Sequence, residues 1–153
     1  MTLVEIMITL VIISILGTFA ATTYVRAYEK NRGYQAVTAL RVMRAAEKLY
    51  YLDWNSYTCM GYTAPSSCTS AGCPSSPLIT GGYFQCPNAA PARERGFNYG
   101  VVPGGNSYVA SATREGVGRY VGRIISITVT YLAGSPETIT WGGTWPAEWI
   151  PSN

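Results

Sequence analysis

The sequence predicts an α+β fold: a long N-terminal α-helix, its first half apolar and projecting and its second half amphipathic, packed on a small antiparallel β-sheet. Three observations lead there. Residues 1–25, MTLVEIMITLVIISILGTFAATTYV, are apolar almost throughout. The run A-V-T-A-L-R-V-M-R-A-A-E-K-L-Y-Y-L then resumes at helical period, and the last third of the chain holds short alternating runs separated by Gly and Pro clusters, the pattern of hairpin-linked strands.

The first element is set by length and polarity. A helix rises about 1.5 Å per residue, so roughly 20 apolar residues cross a hydrocarbon core of about 30 Å, and residues 1–26 are long enough to form a transmembrane segment. Glu5 is the exception within them. A carboxylate in hydrocarbon costs roughly 2.5–3.5 kcal/mol unless neutralised or paired. Two readings fit it. Either Glu5 pairs with a free α-amine, best that of a neighbouring chain displaced along the axis, or it sits at headgroup level and is solvated, as a polar tip near a helix end can be. Ser14, Gly17, Thr18, Thr22 and Thr23 interrupt the stiff run. Glycine costs about 1 kcal/mol in a helix interior and hydroxyls can bond back to carbonyls, which makes Gly17 to Thr23 the expected place for local unwinding.

Arg26, Glu29, Lys30 and Arg32 mark the end of the apolar phase. Beyond them Ala36, Ala39, Leu40, Met43, Ala46, Leu49 and Tyr50 recur at three- and four-residue steps, predicting one buried stripe. Asp53-Trp54-Asn55-Ser56 favour a turn over a helix interior. A helix continuous to about Trp54 would be roughly 80 Å long. Two readings serve Tyr50, Tyr51, Trp54 and Tyr57: packing of the helix end on the sheet, or a sugar-binding cluster.

The T-L-V-E-I-M start followed by an unbroken apolar run resembles the mature N-terminus of type IV pilins and of type II secretion pseudopilins, which usually read F-T-L-I-E-L/M. Thr2, Leu3 and Glu5 match, and Val4, Ile6 and Met7 are conservative fits; Met1 stands where phenylalanine is usual. E-K-L-Y-Y-L-D-W-N-S-Y-T is also similar to the helix end of that family. The resemblance implies the pilin fold, with residues 1–26 as a filament-core helix and residues 27–153 as a globular domain: helix 27–54, a disulfide loop 55–95, and the sheet with its C-terminal tail 96–153. It further implies that prepilin peptidase removed a basic leader, that the amine of Met1 is N-methylated, and that Met1 and Glu5 drive assembly. The family often has a proline near position 22, where this chain has Thr22-Thr23, so Ser14, Gly17, Thr22 and Thr23 are the residues at which the helix would melt in a filament.

All four cysteines, Cys59, Cys68, Cys73 and Cys86, fall in one stretch rich in Ser, Gly and Pro. Their spacings lack the paired C-x-x-C repeats of zinc sites and the chain has no histidine, so two disulfides are the better reading and a four-cysteine metal site the alternative. Disulfides place the domain outside the cytoplasm. Three pairings are open; Cys59 with Cys68 and Cys73 with Cys86 close the shortest loops.

Strands are predicted at G-F-N-Y-G-V-V from Gly96, N-S-Y-V-A-S-A-T from Asn106, G-R-I-I-S-I-T-V-T-Y-L from Gly122 and E-T-I-T-W from Glu137, with turns at Pro103-Gly104-Gly105, at Glu115-Gly116 and before Pro136. Ile125, Ile127, Val129 and Tyr131 alternate with Ser126, Thr128 and Thr130, giving an apolar face to lay on the helix. The tail W-G-G-T-W-P-A-E-W-I-P-S-N carries three of the four tryptophans. It either folds across its own domain or caps a neighbour.

Chemistry is sparse. With no histidine, one aspartate (Asp53) and scattered glutamates, neither a Ser-His-Asp arrangement nor a histidine base can be built. The reading is that the chain is not an enzyme and has no cofactor, no catalytic residues and no metal; Glu137 with nearby carbonyls is at most a fragment of the calcium loop found in some pseudopilins. Lys and Arg total 11 against 8 Asp and Glu, a formal charge of +3, which does not by itself point to nucleic acid. Arg93, Arg95, Arg114, Arg119 and Arg123, interleaved with Tyr99, Tyr108 and Tyr120, form either a solvated face or, if clustered, a nucleic-acid patch. The functional expectation is a subunit that polymerises through its N-terminal helix into an extracellular type IV pilus, with roles in adhesion or motility. Its partners would be itself, the inner membrane before assembly, prepilin peptidase and the assembly machinery. A type II secretion pseudopilin, and a membrane-anchored extracytoplasmic binding protein that never polymerises, are the alternatives.

Overall fold

A computed structural model describes residues 2–58, 60–61, 78, 81–83, 96–116, 120–131 and 136–151. Met1 and all four cysteines lie outside the described residues, and the assembly amine and the disulfides expected of them lie outside with them. The elements are α1 (Leu3–Trp54), β1 (Met60–Gly61), β2 (Phe97–Gly104), β3 (Ser107–Arg114), β4 (Ile124–Thr130), β5 (Thr138–Gly143) and a 3-10 turn, Ala147–Trp149. This is the α+β arrangement the sequence predicts, a long helix packed on an antiparallel sheet. Contacts divide the chain into two compact units, residues 1–32 and 33–153.

In the first unit every side chain from residue 2 to residue 28 is exposed. The helix begins on Thr2 and Glu5, spaced as the T-x-x-E capping box. The Thr2 N–H donates to Glu5 Oε2 and the Glu5 N–H to Thr2 Oγ1, both at 3.4 Å, so each side chain satisfies one orphan donor of the first turn. The hydroxyls of Ser14, Thr18, Thr22 and Thr23 donate to the carbonyls of Leu10, Ile15, Phe19 and Phe19 at 2.7–3.1 Å. The backbone through Gly17 to Thr23 is regular α-helix.

In the second unit the sheet order is β1-β2-β3-β4-β5, each pair antiparallel. The strands fall where alternation places them, with two differences. β2 runs through Pro103 and Gly104, and the turn is Gly105–Asn106. Pro103 is tolerated because β1 pairs only with Gly100 and Val101, so no ladder bond is asked of the missing N–H on that side. β1 itself falls within the stretch read as loop, being too short to show any alternation.

Alternate residues of each strand enter one core: Phe97, Tyr99 and Val101 from β2, Tyr108, Ala110 and Ala112 from β3, Ile125, Ile127 and Val129 from β4. They meet Ala36, Val37, Leu40, Met43 and Ala46 of α1, with Leu78 closing the cluster. The helix stripe differs from the one predicted. Leu49 is 54% exposed while Glu47 is fully buried. At about 100° per residue, positions 36, 40, 43, 47 and 50 share a sector and 49 lies opposite it; the apolar character of Leu49 does not overcome its phase.

The helix ends as the turn residues predict. Asn55 adopts a left-handed conformation, φ 50°, and its N–H donates to the Tyr51 carbonyl at 2.8 Å, a C-terminal cap that Asn accepts more readily than most residues. The tail folds across its own domain. Trp145 and Trp149 are buried, with ring centroids 5.5 Å from Phe97 to Trp145 and 5.3 Å from Tyr120 to each indole. A Cβ at Gly33 would lie 2.8 Å from Trp145 Nε1, so glycine on α1 makes the seat for that indole.

Candidate functional site

Two groups of residues stand out, one in each unit. The first is the apolar face of residues 3–25 with its single carboxylate. Leu3, Val4, Met7, Leu16 and Phe19 are 60–74% exposed. By length and composition this helix can cross a membrane, and none of its apolar window is buried. Glu5 is exposed and its Oε2 holds the cap. Ser14, Gly17, Thr22 and Thr23 are exposed along the same helix, and nothing stands within 4 Å of a Cβ built at Gly17.

The second group surrounds the C-terminal end of α1. Glu137, one residue before β5, accepts a two-pronged bond from Arg44: Nε to Oε1 at 3.0 Å and Nη2 to Oε2 at 2.8 Å. Lys48 Nζ stands 3.7 Å from the same carboxylate. The Arg44 guanidinium holds the Glu137 carboxyl below the usual range. Both oxygens of Glu137 are therefore committed to Arg44, and the carboxylate is not a free calcium ligand. Among the described residues no group of three Asp, Glu, His or Cys side chains converges to hold a metal.

Glu47, one turn along, has no cation paired with it among the described residues. Its Oε2 accepts the Thr58 N–H at 3.2 Å and its Oε1 is buried without a hydrogen-bond partner among the described residues. Burial dominates, and its pKa is pushed up to about 7. The Tyr108 hydroxyl is likewise buried and unpartnered among the described residues, and burial raises that phenol strongly, with Glu47 and Glu137 adding to the effect. Glu47 thus fastens Thr58, where the chain leaves the helix and heads toward β1, at the cost of a poorly solvated acid.

A pH dependence follows. Glu47 binds its proton more tightly folded than unfolded, so its contribution is fully present below the unfolded value near 4.5 and is lost as pH rises through about 7. Glu137 acts in the opposite sense, its contribution fading as pH falls through its lowered value. Glu47→Gln, which keeps an acceptor for Thr58, is expected to remove the decline in stability between about pH 5 and pH 8, a gain of roughly 2–3 kcal/mol at the alkaline end. Urea unfolding of both proteins across that range measures it; parallel curves would show that Glu47 is not the group responsible.

Next to these groups lies a cavity of about 350 Å³ whose wall includes Lys48, Tyr51, Tyr57, Tyr108, Tyr131 and Glu137. The rings are contiguous: Tyr51 stacks on Tyr57 at 4.8 Å, Tyr57 meets Tyr108 at 4.8 Å, and Tyr51 meets Tyr131 at 5.5 Å. Tyr50 and Trp54 are directed elsewhere, onto each other and, for Tyr50, onto Tyr83, whose hydroxyl donates to Asp53 Oδ2 at 2.6 Å. The aromatic cluster read from the sequence is therefore two clusters, and Tyr108 and Tyr131 join one of them from strands far along the chain.

Comparison with family models, with curated proteins and with solved structures finds no match to this chain.

Among the described residues the arginine–tyrosine series does not form one surface. Arg114 is buried, Nη1 donating to the carbonyls of Gly96, at 2.9 Å, and Glu115. Tyr99 and Tyr108 are buried as well. Arg123 lies over the Tyr120 ring and donates to the Thr144 carbonyl at 2.7 Å. Arg93, Arg95 and Arg119 lie outside the described residues.

Proposed function

We propose that this chain is a structural subunit that polymerises through its N-terminal helix into an extracellular filament of the type IV pilus kind, after residence in the inner membrane. The observation that carries the reading is a helix whose first 26 described residues are apolar and exposed almost throughout, interrupted near its start by one carboxylate, in a chain whose other unit already has a closed core of its own. Such a face needs either lipid or copies of itself. Val42, Leu49 and Leu52, on the outward face of α1 in the second unit, are 51–72% exposed and give that unit an apolar surface of its own to offer to neighbours. In this reading Glu5 answers the methylated amine of Met1 in the adjacent subunit, and prepilin peptidase supplies that amine.

The test is Glu5→Gln. Glutamine serves the capping box with Thr2 as glutamate does, so the start of the helix and membrane insertion are expected to persist while the ionic pairing is lost. Filament yield is expected to fall at least tenfold, counted by electron microscopy of sheared material against the membrane-held pool. Filaments of normal number and length from this variant would leave Glu5 as a helix cap alone and favour a membrane-anchored monomer.

A further inference from the structure

We infer that the tyrosine-walled cavity at the end of α1 is a carbohydrate site that takes a pyranose ring, neutral or acidic, against the Tyr51–Tyr57–Tyr131 wall. The volume, about 350 Å³, falls at the lower end of the range of small-ligand pockets. The chemistry of the wall selects the class. A pyranose has one face of C–H groups, which packs on an aromatic ring, and a rim of hydroxyls that both donate and accept. The wall offers both: contiguous tyrosine rings, and around them the Lys48 ammonium, a side chain 65% exposed, and the edge of the Glu137 carboxylate.

A second observation points the same way. Tyr108, 1% exposed, lines the cavity and its hydroxyl has no partner among the described residues. A buried hydroxyl left unpaired costs roughly 1–3 kcal/mol, which a hydroxyl-bearing ligand reaching it would offset. An apolar occupant would not.

Charge separates this class from the other one that tyrosine cages serve. Quaternary ammonium groups are held by aromatic faces, and a carboxylate in the wall usually assists. Here Glu137 is already paired with Arg44, with Lys48 beside it, so the wall has no free carboxylate to assist a cation and has an exposed ammonium to meet an anion. It tolerates a neutral sugar and favours one bearing a carboxylate. The site stands whether or not the chain polymerises, because every residue in it belongs to the second unit.

The experiment uses the full chain in micelles of an alkyl polyoxyethylene ether, which carries neither sugar nor quaternary nitrogen. The probes are methyl β-D-glucopyranoside, glucuronic acid and tetramethylammonium chloride, read by saturation-transfer NMR. Saturation is expected on the ring protons of both saccharides, with the acid at least as strong. Tyr131→Ala is expected to weaken both by roughly tenfold, the scale of one lost aromatic contact. Tyr131→Phe keeps the stacking and should lose only a few-fold. Lys48→Met, at an exposed side chain, should abolish the preference for the acid. Binding of tetramethylammonium without either saccharide would replace the proposal with a cation cage. Saccharide signals unchanged in Tyr131→Ala would place any sugar elsewhere, and absence of all three signals would overturn it.

Discussion

Deleting residues 1–26 is expected to convert a chain recovered without detergent only as filaments into a soluble monomer with its sheet intact. The size of the effect follows from area. Apolar surface is worth about 25 cal/mol per Å² removed from water, and the exposed stretch that includes Leu3, Ile8, Ile12, Leu16 and Phe19 presents many hundreds of Å². That surface cannot be left in water by a freely diffusing chain, and in the proposed filament a contact repeated by rotation and rise would bury it in an open helical polymer. The second unit loses little, since all members of its core lie at or beyond Ala36. Sedimentation velocity of residues 27–153 at increasing concentration measures the outcome. Self-association of the truncated protein would assign assembly to its own surface, with Val42, Leu49 and Leu52 the first residues to examine.

The second large effect concerns one glycine. Gly143 ends β5 at φ 126°, and a Cβ there would fall 2.1 Å from the Ile124 carbonyl oxygen. That oxygen cannot move aside, because it accepts the N–H groups of Thr144 and Trp145 at 2.8 and 3.1 Å, while the Ile124 N–H donates to Thr144 Oγ1 at 2.9 Å. The chain wraps this one carbonyl to bring Trp145 down onto Phe97. Gly143→Ala is expected to destabilise the domain by roughly 3 kcal/mol or more, from backbone strain and loss of the indole seat together. Gly105→Ala, with nothing within 4 Å of the added carbon, is the control and should stay within about 0.5 kcal/mol. Urea unfolding of residues 27–153 carrying each change makes the comparison; equal midpoints would mean that the turn relaxes.

The strands were legible because each has one buried face: Ile125, Ile127 and Val129 against Ser126, Thr128 and Thr130 is a pattern that burial on one side alone produces. The helix was legible in extent and misread in phase, since hydrophobicity favoured Leu49 whereas geometry favoured Glu47. No residue type announces a buried carboxyl lodged in an A-E-K-L run, and only the three- and four-residue spacing from Leu40 and Met43 marks it. Arg114 escaped for the same reason: it occupies an inward position of β3, and its in-out phase outweighs its charge. The T-x-x-E cap was readable and its Glu5 was given a different role, which the cap does not exclude. The cavity was half legible. Tyr51 and Tyr57 were singled out, but Tyr108, Tyr131 and Glu137 reach them only through the register of β3 on β4 and of β4 on β5.

The sheet order has a kinetic meaning. From β2 to β5 each strand pairs with the one made just before it, so the separation of partners along that part of the chain is small, the condition under which β-structure forms fastest. A domain made behind its helix would find the template for each strand from β3 onward already in place, with no long-lived open edge in the middle of the sheet. The exception is the close of the sequence of events. Gly33 and Phe97 stay uncovered until Trp145 arrives, so the slowest-maturing part of the domain is the hydrophobic seal between its earliest and its latest residues. Protection against proteolysis or hydrogen exchange should be acquired there last.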